Sequence, residues 1–283
     1  MKKIIPILII VIFIVGLSVL LYPTVSAYIN SLSQTRAVAV YYENIVDLDE
    51  TEFEEMLEAA HAYNKRLLKK KDRYDITEAD HAEYLSLLNP KNKGVMGVLE
   101  IGIINVKLPI YHGTNESVLQ VGIGHLEGSS LPVGGEGTHS IITGHRGLPS
   151  STLLTHLDKM KIGDTFKMTI LNQVLTYEVD QIITVWPHET EALSIELGKD
   201  YCTLLTCTPY SINTHRIFVR GHRIPNIESV KSTEEIIDEA QKVSNTRLML
   251  IIGVPVVLLL SLFTVLRIRK IYRKKHDTGN KAE

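Results

Sequence analysis

Residues 203–223, TLLTCTPYSINTHRIFVRGHR, carry the pattern of two strands joined by a loop. An apolar run ends at Cys207, a turn-like stretch with Pro209 and Asn213 follows, and a second apolar run begins at Arg216. Runs rich in β-branched and apolar residues that are bounded by turn residues are typical of strands. The stretch therefore predicts a hairpin-like return that brings Arg216 back beside Cys207.

Similar short runs recur upstream, from about Gly94. They are GVMGVLEIGIINVKLPIY (94–111), THSIITGH (138–145), TFKMTIL (165–171) and LTYEVDQIITVW (175–186). Gly-containing or polar turns separate most of these runs, and little helix lies between them. This arrangement indicates an antiparallel sheet closed into a barrel or a sandwich. Residues 28–71 instead carry apolar positions at steps of three and four, which predicts helix.

Two uncharged apolar segments, 4–22 and 248–266, predict membrane spans. Each has 19 residues, which is long enough to cross a hydrocarbon core of about 30 Å. Two lysines precede the first segment, and RIRKIYRKKH with six Arg or Lys follows the second. The positive-inside rule then places both ends in the cytoplasm and the region between them outside the cell. Small residues up to Ala27 also fit a signal-peptide cleavage site, but the long apolar run favours an uncleaved anchor.

The composition excludes several other functions. The chain has 283 residues and a formal net charge of −2, so no overall attraction to nucleic acid is expected. Cys202 and Cys207 are too few for a disulfide scaffold. If they share one strand, their Cα atoms lie about 16 Å apart, beyond the reach of a disulfide. No cluster of ligands suggests a zinc site, and we expect no cofactor and no metal.

Cys207 is then either an inert thiol or a nucleophile, and a nucleophile needs a base and a group that faces the oxyanion. Among eleven histidines, His145 differs because GTHSIITGHRGLP (137–149) runs as an apolar strand into a Gly-His-Arg-Gly loop. Arg216 would supply a permanent positive charge. Each residue taken singly is more often structural, since free cysteines are commonly buried and inert. Physical chemistry alone leaves both interpretations open.

A family resemblance favours the nucleophile. TLLTC (203–207) followed by Arg216 resembles the Thr-Leu-x-Thr-Cys…Arg signature of sortases, the transpeptidases of Gram-positive surfaces. Residues 137–149 look like the sortase histidine segment. Residues 198–223 are similar to the pilus-assembling branch, class C, and the likeness runs from about residue 84 to 224.

The resemblance implies a mainly β fold. We expect an eight-stranded closed sortase-type barrel with N-terminal helices, flanked by two transmembrane helices. It also implies that Cys207 is the nucleophile, His145 the acid and base, and Arg216 the residue that stabilises the oxyanion. Thr206 corresponds to the supporting threonine before the nucleophile.

The reaction that the resemblance implies is transpeptidation. Cys207 would cleave a Leu-Pro-x-Thr-Gly-like sorting signal between Thr and Gly through a thioester, and a pilin lysine would resolve it, which polymerises pili. The expected partners are pilins or other surface proteins with such signals, and the membrane, with a monomeric catalytic domain outside the cell and a cytoplasmic tail. One alternative is anchoring of proteins to a peptidoglycan amine. Another is an inactive adaptor that binds sorting signals. A papain-like protease fits poorly, because such enzymes place the Cys before the His.

The expected organisation has six parts. They are an anchor (1–27), a helical extension (28–93), the barrel (94–225), a linker (226–247), the second transmembrane helix (248–266) and a basic tail (267–283).

Class C sortases usually carry an Asp-Pro-aromatic lid before the barrel, and this chain departs from that pattern. The expected place reads KDRYDITEADHAEYLSLLNP (71–90), and the chain contains no Asp-Pro pair. Tyr74 with Asp75, or Asp80 with His81, are degenerate substitutes at best, because neither has the stiffening proline. We expect a lid that is absent or reduced, over a groove that is open or covered by something else.

Overall fold

This computed structural model describes residues 4–226, which contain four α-helices, four short 3₁₀-helices and eight strands. The helices are α1 (Ile4–Val46), α2 (Glu50–Lys69), α3 (Glu78–Ser86) and α4 (Glu116–Leu119). The strands are β1 (Val95–Ile101), β2 (Val106–His112), β3 (Ile123–His125), β4 (Thr138–Thr143), β5 (Thr165–Ile170), β6 (Gln173–Val185), β7 (Asp200–Thr208) and β8 (His215–Ile224). The expected second transmembrane helix and basic tail lie outside the described residues, as does the linker after residue 226.

The strands close into a barrel in the order β1-β2-β3-β4-β7-β8-β6-β5. The prediction of an eight-stranded barrel with N-terminal helices is thus confirmed, whereas the expectation of an antiparallel sheet is wrong at two seams. β2 pairs with β3, and β4 with β7, in parallel. Parallel neighbours need a crossover, which α4 supplies for the first pair and the β5–β6 hairpin for the second. Apolar runs look alike in both arrangements, so the sequence pattern did not distinguish them.

Alternate strand residues fill the barrel. Leu99, Ile110, Met168, Leu204 and Val219 are fully buried. Such alternation is expected because successive side chains of a strand point to opposite faces. Burial of these side chains supplies the hydrophobic stabilisation that holds the barrel closed.

The helical extension consists of more than one helix. α1 ends at Val46, and α2 begins with a capping box in which Asp49 accepts from the Glu52 N–H and Glu52 accepts from the Asp49 N–H, both at 2.9 Å. This reciprocal bonding satisfies N–H groups that have no partner within the helix. The predicted helix over 28–71 is therefore interrupted where a capping sequence starts a new helix.

α1 connects an apolar segment to the barrel. The helical stretch Ile12–Val46 contains an 18-residue window with a mean hydropathy of 2.0, of which 6% is buried, so it is long and apolar enough to cross a membrane. Its C-terminal part packs on the barrel, where the fully buried Tyr41 donates to the Met96 carbonyl at 3.1 Å and accepts from the Leu171 N–H at 2.7 Å. α1 runs through residue 27 without a break. This single apolar helix fits membrane anchoring.

Candidate active site

Cys207 and Arg216 face each other across the β7–β8 ladder. Directly paired residues of antiparallel strands have Cβ atoms about 4.5–5.5 Å apart. The hairpin-like return predicted from residues 203–223 is therefore present. Cys207 is half-buried, and Arg216 Nη1 donates to the carbonyls of Asn213 at 3.2 Å and His215 at 3.1 Å. The loop between the strands thus holds the guanidinium near the thiol's end of the barrel.

His145 reaches the same end through the parallel β4–β7 pair. Thr143 pairs with Leu205, and the Gly144 N–H donates to the Leu205 carbonyl at 3.2 Å. His145 lies two residues after the end of β4, and Cys207 lies two residues after Leu205 on β7, so both residues lie at the same end of this strand pair. The sequence-predicted Cys, His and Arg are therefore gathered at one rim of the barrel.

A buried hydrogen bond from Thr206 holds the strand of Cys207 against the start of the His145 loop. Its hydroxyl is fully buried and donates to the Gly144 carbonyl at 2.6 Å. Gly144 itself has no room for a side chain, because an added Cβ would lie 2.7 Å from Ile123 Cγ2. The residue before the nucleophile is thereby bonded to the residue before the histidine.

Arg146 is a site residue that sequence analysis missed. Its side chain is only 7% exposed and its Nη2 lies 2.5 Å from Asp158 Oδ2. Its Nη1 donates to the Thr208 hydroxyl at 2.9 Å. Arg146 therefore ties the loop after His145 to the residue after Cys207. An arginine in a Gly-His-Arg-Gly loop looks like a surface residue in the sequence, which carries no signal of this contact.

An exposed apolar rim borders the site and was also missed. Trp186 follows Val185, which pairs with Arg216, and its ring lies against the His215 ring, tilted by 34°, with the centroids 4.1 Å apart. Tyr210 packs over Gly147, where an added Cβ would lie 3.1 Å from the Tyr210 ring. Trp186, Tyr210 and Ile212 remain at least half exposed. Such a surface suits an extended peptide with apolar side chains.

Cys202 lies on the other face of β7. It is fully buried and its Sγ lies 3.8 Å from Met168 Sδ. Burial raises the pKa of its thiol well above the usual value, so it is held as a neutral packing group. Both cysteines are free thiols in one strand, five positions apart. In the described part of the chain, no group of three or more His, Cys, Asp or Glu side chains could hold a metal ion.

Arg73 and Tyr74, within the stretch 71–90 where a class C lid would lie, contact the barrel. Arg73 Nη2 donates to the Leu193 carbonyl at 2.6 Å, and the Tyr74 ring lies against Gly128. Leu193 packs in the small cluster that also contacts Leu205, on the outward face that carries Cys207. Across residues 4–226, no hydrogen bond, ion pair or ring contact is formed between 72–82 and Cys207, His145 or Arg216.

The two pairs considered as degenerate lids serve other contacts. Asp80 caps α3 by accepting from Thr77, and it pairs with Lys70 at 2.9 Å. The Asp75 carbonyl also accepts from Lys70, at 2.6 Å. His81 Nδ1 lies 2.7 Å from Glu127 Oε2. These contacts shape the turn before α3.

Comparison with known proteins agrees with the geometry. A family model described as "Sortase domain" matches residues 99–224. The crystal structure of sortase C1 from Streptococcus agalactiae is 51% identical with a TM-score of 0.66, covering 68% of this chain and 99% of that one. Sortase C of Streptococcus pneumoniae is 45% identical with a TM-score of 0.60, covering 69% and 100% respectively. Sortase D of Bacillus subtilis (strain 168) is 29% identical over 132 residues, which cover 47% of this chain and 64% of that protein.

Proposed function

The chain belongs to the sortase family of cysteine transpeptidases, and from this premise we propose that it is a membrane-anchored class C sortase that polymerises pilins. The Cys207 thiolate attacks the threonine carbonyl of a Leu-Pro-x-Thr-Gly-like signal. The Thr–Gly bond breaks, a thioester forms, and a pilin lysine amine displaces the thiol to give an isopeptide bond. The observation that supports this proposal is that the Cys207–Arg216 pair of β7 and β8 and the loop after β4, which begins with Gly144 and His145, lie at one end of the barrel.

Each residue has a chemical task in that reaction. His145 accepts the thiol proton and returns it to the glycine amine that leaves. Within residues 4–226, Arg216 forms hydrogen bonds only through Nη1, to the loop carbonyls, and we propose that Nε and Nη2 bond the oxyanion. A preorganised cation facing the developing charge is often the largest single contribution to catalysis.

The apolar rim supports peptide binding beside the nucleophile. Trp186, Tyr210 and Ile212 lie on the β6 end and the β7–β8 loop, next to Arg216. They would bury the Leu-Pro part of the signal while its Thr–Gly bond lies over Cys207. Aromatic side chains give large contact area at low conformational cost, as in other peptide-binding sites.

We propose a pilin lysine, rather than a peptidoglycan amine, as the acceptor because the chain is similar to class C sortases. The likeness to class C sortases covers nearly the whole of their solved chains, and the S. pneumoniae structure is described as bearing on pilin substrate specificity. The apolar helix Ile12–Val46 supports tethering at the cell membrane. Tethering would raise the effective concentration of enzyme beside membrane-held substrates. We further propose that the barrel lies outside the cell and the basic tail inside.

The test is acylation of the full chain in detergent by a sorting-signal peptide, followed by mass spectrometry. We expect an acyl adduct on Cys207, no adduct in Cys207→Ala, and an unchanged adduct in Cys202→Ala. A pilin lysine peptide should then release the adduct faster than a peptidoglycan amine does. The reverse order would favour the anchoring enzyme, and no adduct with bound peptide would favour the inactive adaptor.

A further inference from the structure

His145 has a buried nitrogen without a hydrogen-bond partner. Its side chain is 27% exposed, but its Nε2 atom is buried. Within the described residues, this atom takes part in no hydrogen bond. Buried polar atoms of this kind are rare and call for an explanation. The nearest opposite charge is Glu116, whose Oε1 lies 3.6 Å from that nitrogen.

Glu116 is well placed to supply the missing hydrogen-bond partner. It is the first residue of α4, directly after Asn115, whose side chain caps the helix by accepting from the Val118 N–H at 3.0 Å. The Glu116 side chain is 71% exposed, so a small rotamer change is enough to shorten the contact. Gln120 donates to the same Oε1 at 2.5 Å, which holds the carboxylate on the side of α4 that faces His145.

We propose that Glu116 is a positioning residue for the transpeptidation proposed above, accepting a hydrogen bond from His145 Nε2 and so presenting Nδ1 to Cys207. The inference rests on that proposed function. When Cys207 gives its proton to Nδ1, the imidazolium carries N–H groups on both nitrogens, and Glu116 stabilises the positive charge. The same proton then moves from Nδ1 to the glycine amine as the Thr–Gly bond breaks. A base oriented by a third group is a recurring arrangement in nucleophilic catalysis.

Other charges around His145 do not replace this role. Arg146 is engaged with Asp158 and Thr208. Cys207 and Arg216 lie on β7 and β8. Among the described residues, Glu116 is the carboxylate that pairs with His145 Nε2, at 3.6 Å. Its own pKa is lowered by the Gln120 hydrogen bond and by the charge of His145, so it is ionised when His145 is protonated.

The first test is the pH profile of kcat/KM for sorting-signal cleavage by the full chain. Removing the carboxylate makes the imidazolium less stable, so the alkaline limb in Glu116→Gln should move to lower pH by about half a unit to one unit. Glu116→Asp should restore part of the shift. Glu136→Gln, which removes an exposed carboxylate from the loop before β4, should leave the limb in place.

The second test needs no substrate. At pH 7 the rate of Cys207 alkylation by iodoacetamide follows the thiolate–imidazolium population, so Glu116→Gln should react about threefold to tenfold more slowly, as expected for a partly exposed charge pair. Slower alkylation in an enzyme that never cleaves peptide would sink the proposed function but keep the role of Glu116. Cleavage with an unmoved alkaline limb and unchanged alkylation would overturn the role of Glu116 alone, as would an equal loss of rate at every pH.

Discussion

At the scale of single residues, the site depends on the hydroxyl of Thr206. It is fully buried and bonds the Gly144 carbonyl at 2.6 Å, so it fixes β7 to the start of the histidine loop. Removing one partner of a buried hydrogen bond leaves the other without water or protein to bond. The position of His145 relative to Cys207 should therefore respond to this one contact.

Thr206→Val keeps the shape of the side chain but loses the hydroxyl. We expect the free energy of unfolding to fall by about 1–3 kcal/mol, and the rate of Cys207 acylation to fall as well. Urea unfolding followed by the fluorescence of Trp186, the single tryptophan, measures the first effect. Thr206→Ser retains the hydroxyl and should lose much less. Equal stability of the Val and Ser variants would show that the hydrogen bond contributes little.

Sequence analysis predicted some site residues and missed others for a physical reason. Cys207 and Arg216 lie on adjacent strands of one hairpin, so a local pattern is enough to bring them together. Arg146 and Glu116 reach the site through loops and a short helix whose positions depend on closure of the whole barrel. Their contacts, to Thr208 and His145, span 62 and 29 positions along the chain. Local periodicity carries no information on such contacts.

At the scale of elements, the strand patterns predicted a sheet closed into a barrel or a sandwich, the family resemblance implied the eight-stranded barrel, and neither predicted the two parallel seams. The β4–β7 seam matters most, since it carries His145 to Cys207. β4 is buried at five of its six residues, so its sequence reads as an apolar run that fits either pairing direction. The direction follows from the crossover through β5 and β6, which is a property of the complete chain.

A substitution in the segment 72–82 can show whether this segment covers the groove. Arg73 and Tyr74 hold it at the edge of the face that carries Cys207, yet within the described part of the chain it forms no hydrogen bond or ion pair to the site residues. The missing Asp-Pro pair predicts a lid that is absent or reduced, so we expect Tyr74→Ala to leave the rate of Cys207 alkylation unchanged. A segment that closes the groove nine-tenths of the time would instead give about a tenfold rise on its release. Alkylation of the buried Cys202, measured in the same sample, controls for unfolding.

At the scale of the whole molecule, two buried histidines connect distant parts of the fold. His125 Nε2 donates to the Ser130 carbonyl at 2.9 Å, and its Nδ1 lies 3.0 Å from the Tyr84 hydroxyl of α3. His139 Nδ1 donates to the Ser194 carbonyl at 2.9 Å, and its Nε2 accepts from the Thr203 hydroxyl at 2.7 Å. Burial lowers the pKa of both to about 4. Both rings are thus neutral packing groups in the folded protein.

Acid should therefore destabilise the barrel already at mildly acidic pH. An unfolded histidine has a pKa of about 6.5. Between pH 6.5 and 4 the unfolded chain binds protons that folded His125 and His139 do not. Each of the two then costs up to about 1.4 kcal/mol of stability per pH unit. Hydrogen bonds from Thr77 and Lys70 lower the pKa of Asp80 to about 2, so this carboxylate affects stability only below that pH range.

Urea unfolding of the full chain at pH 7 and pH 5, followed by Trp186 fluorescence, measures the loss of stability. His139→Gln should be less stable than the native chain at pH 7 but lose less between the two pH values. An equal loss in both proteins would show that His139 does not resist protonation.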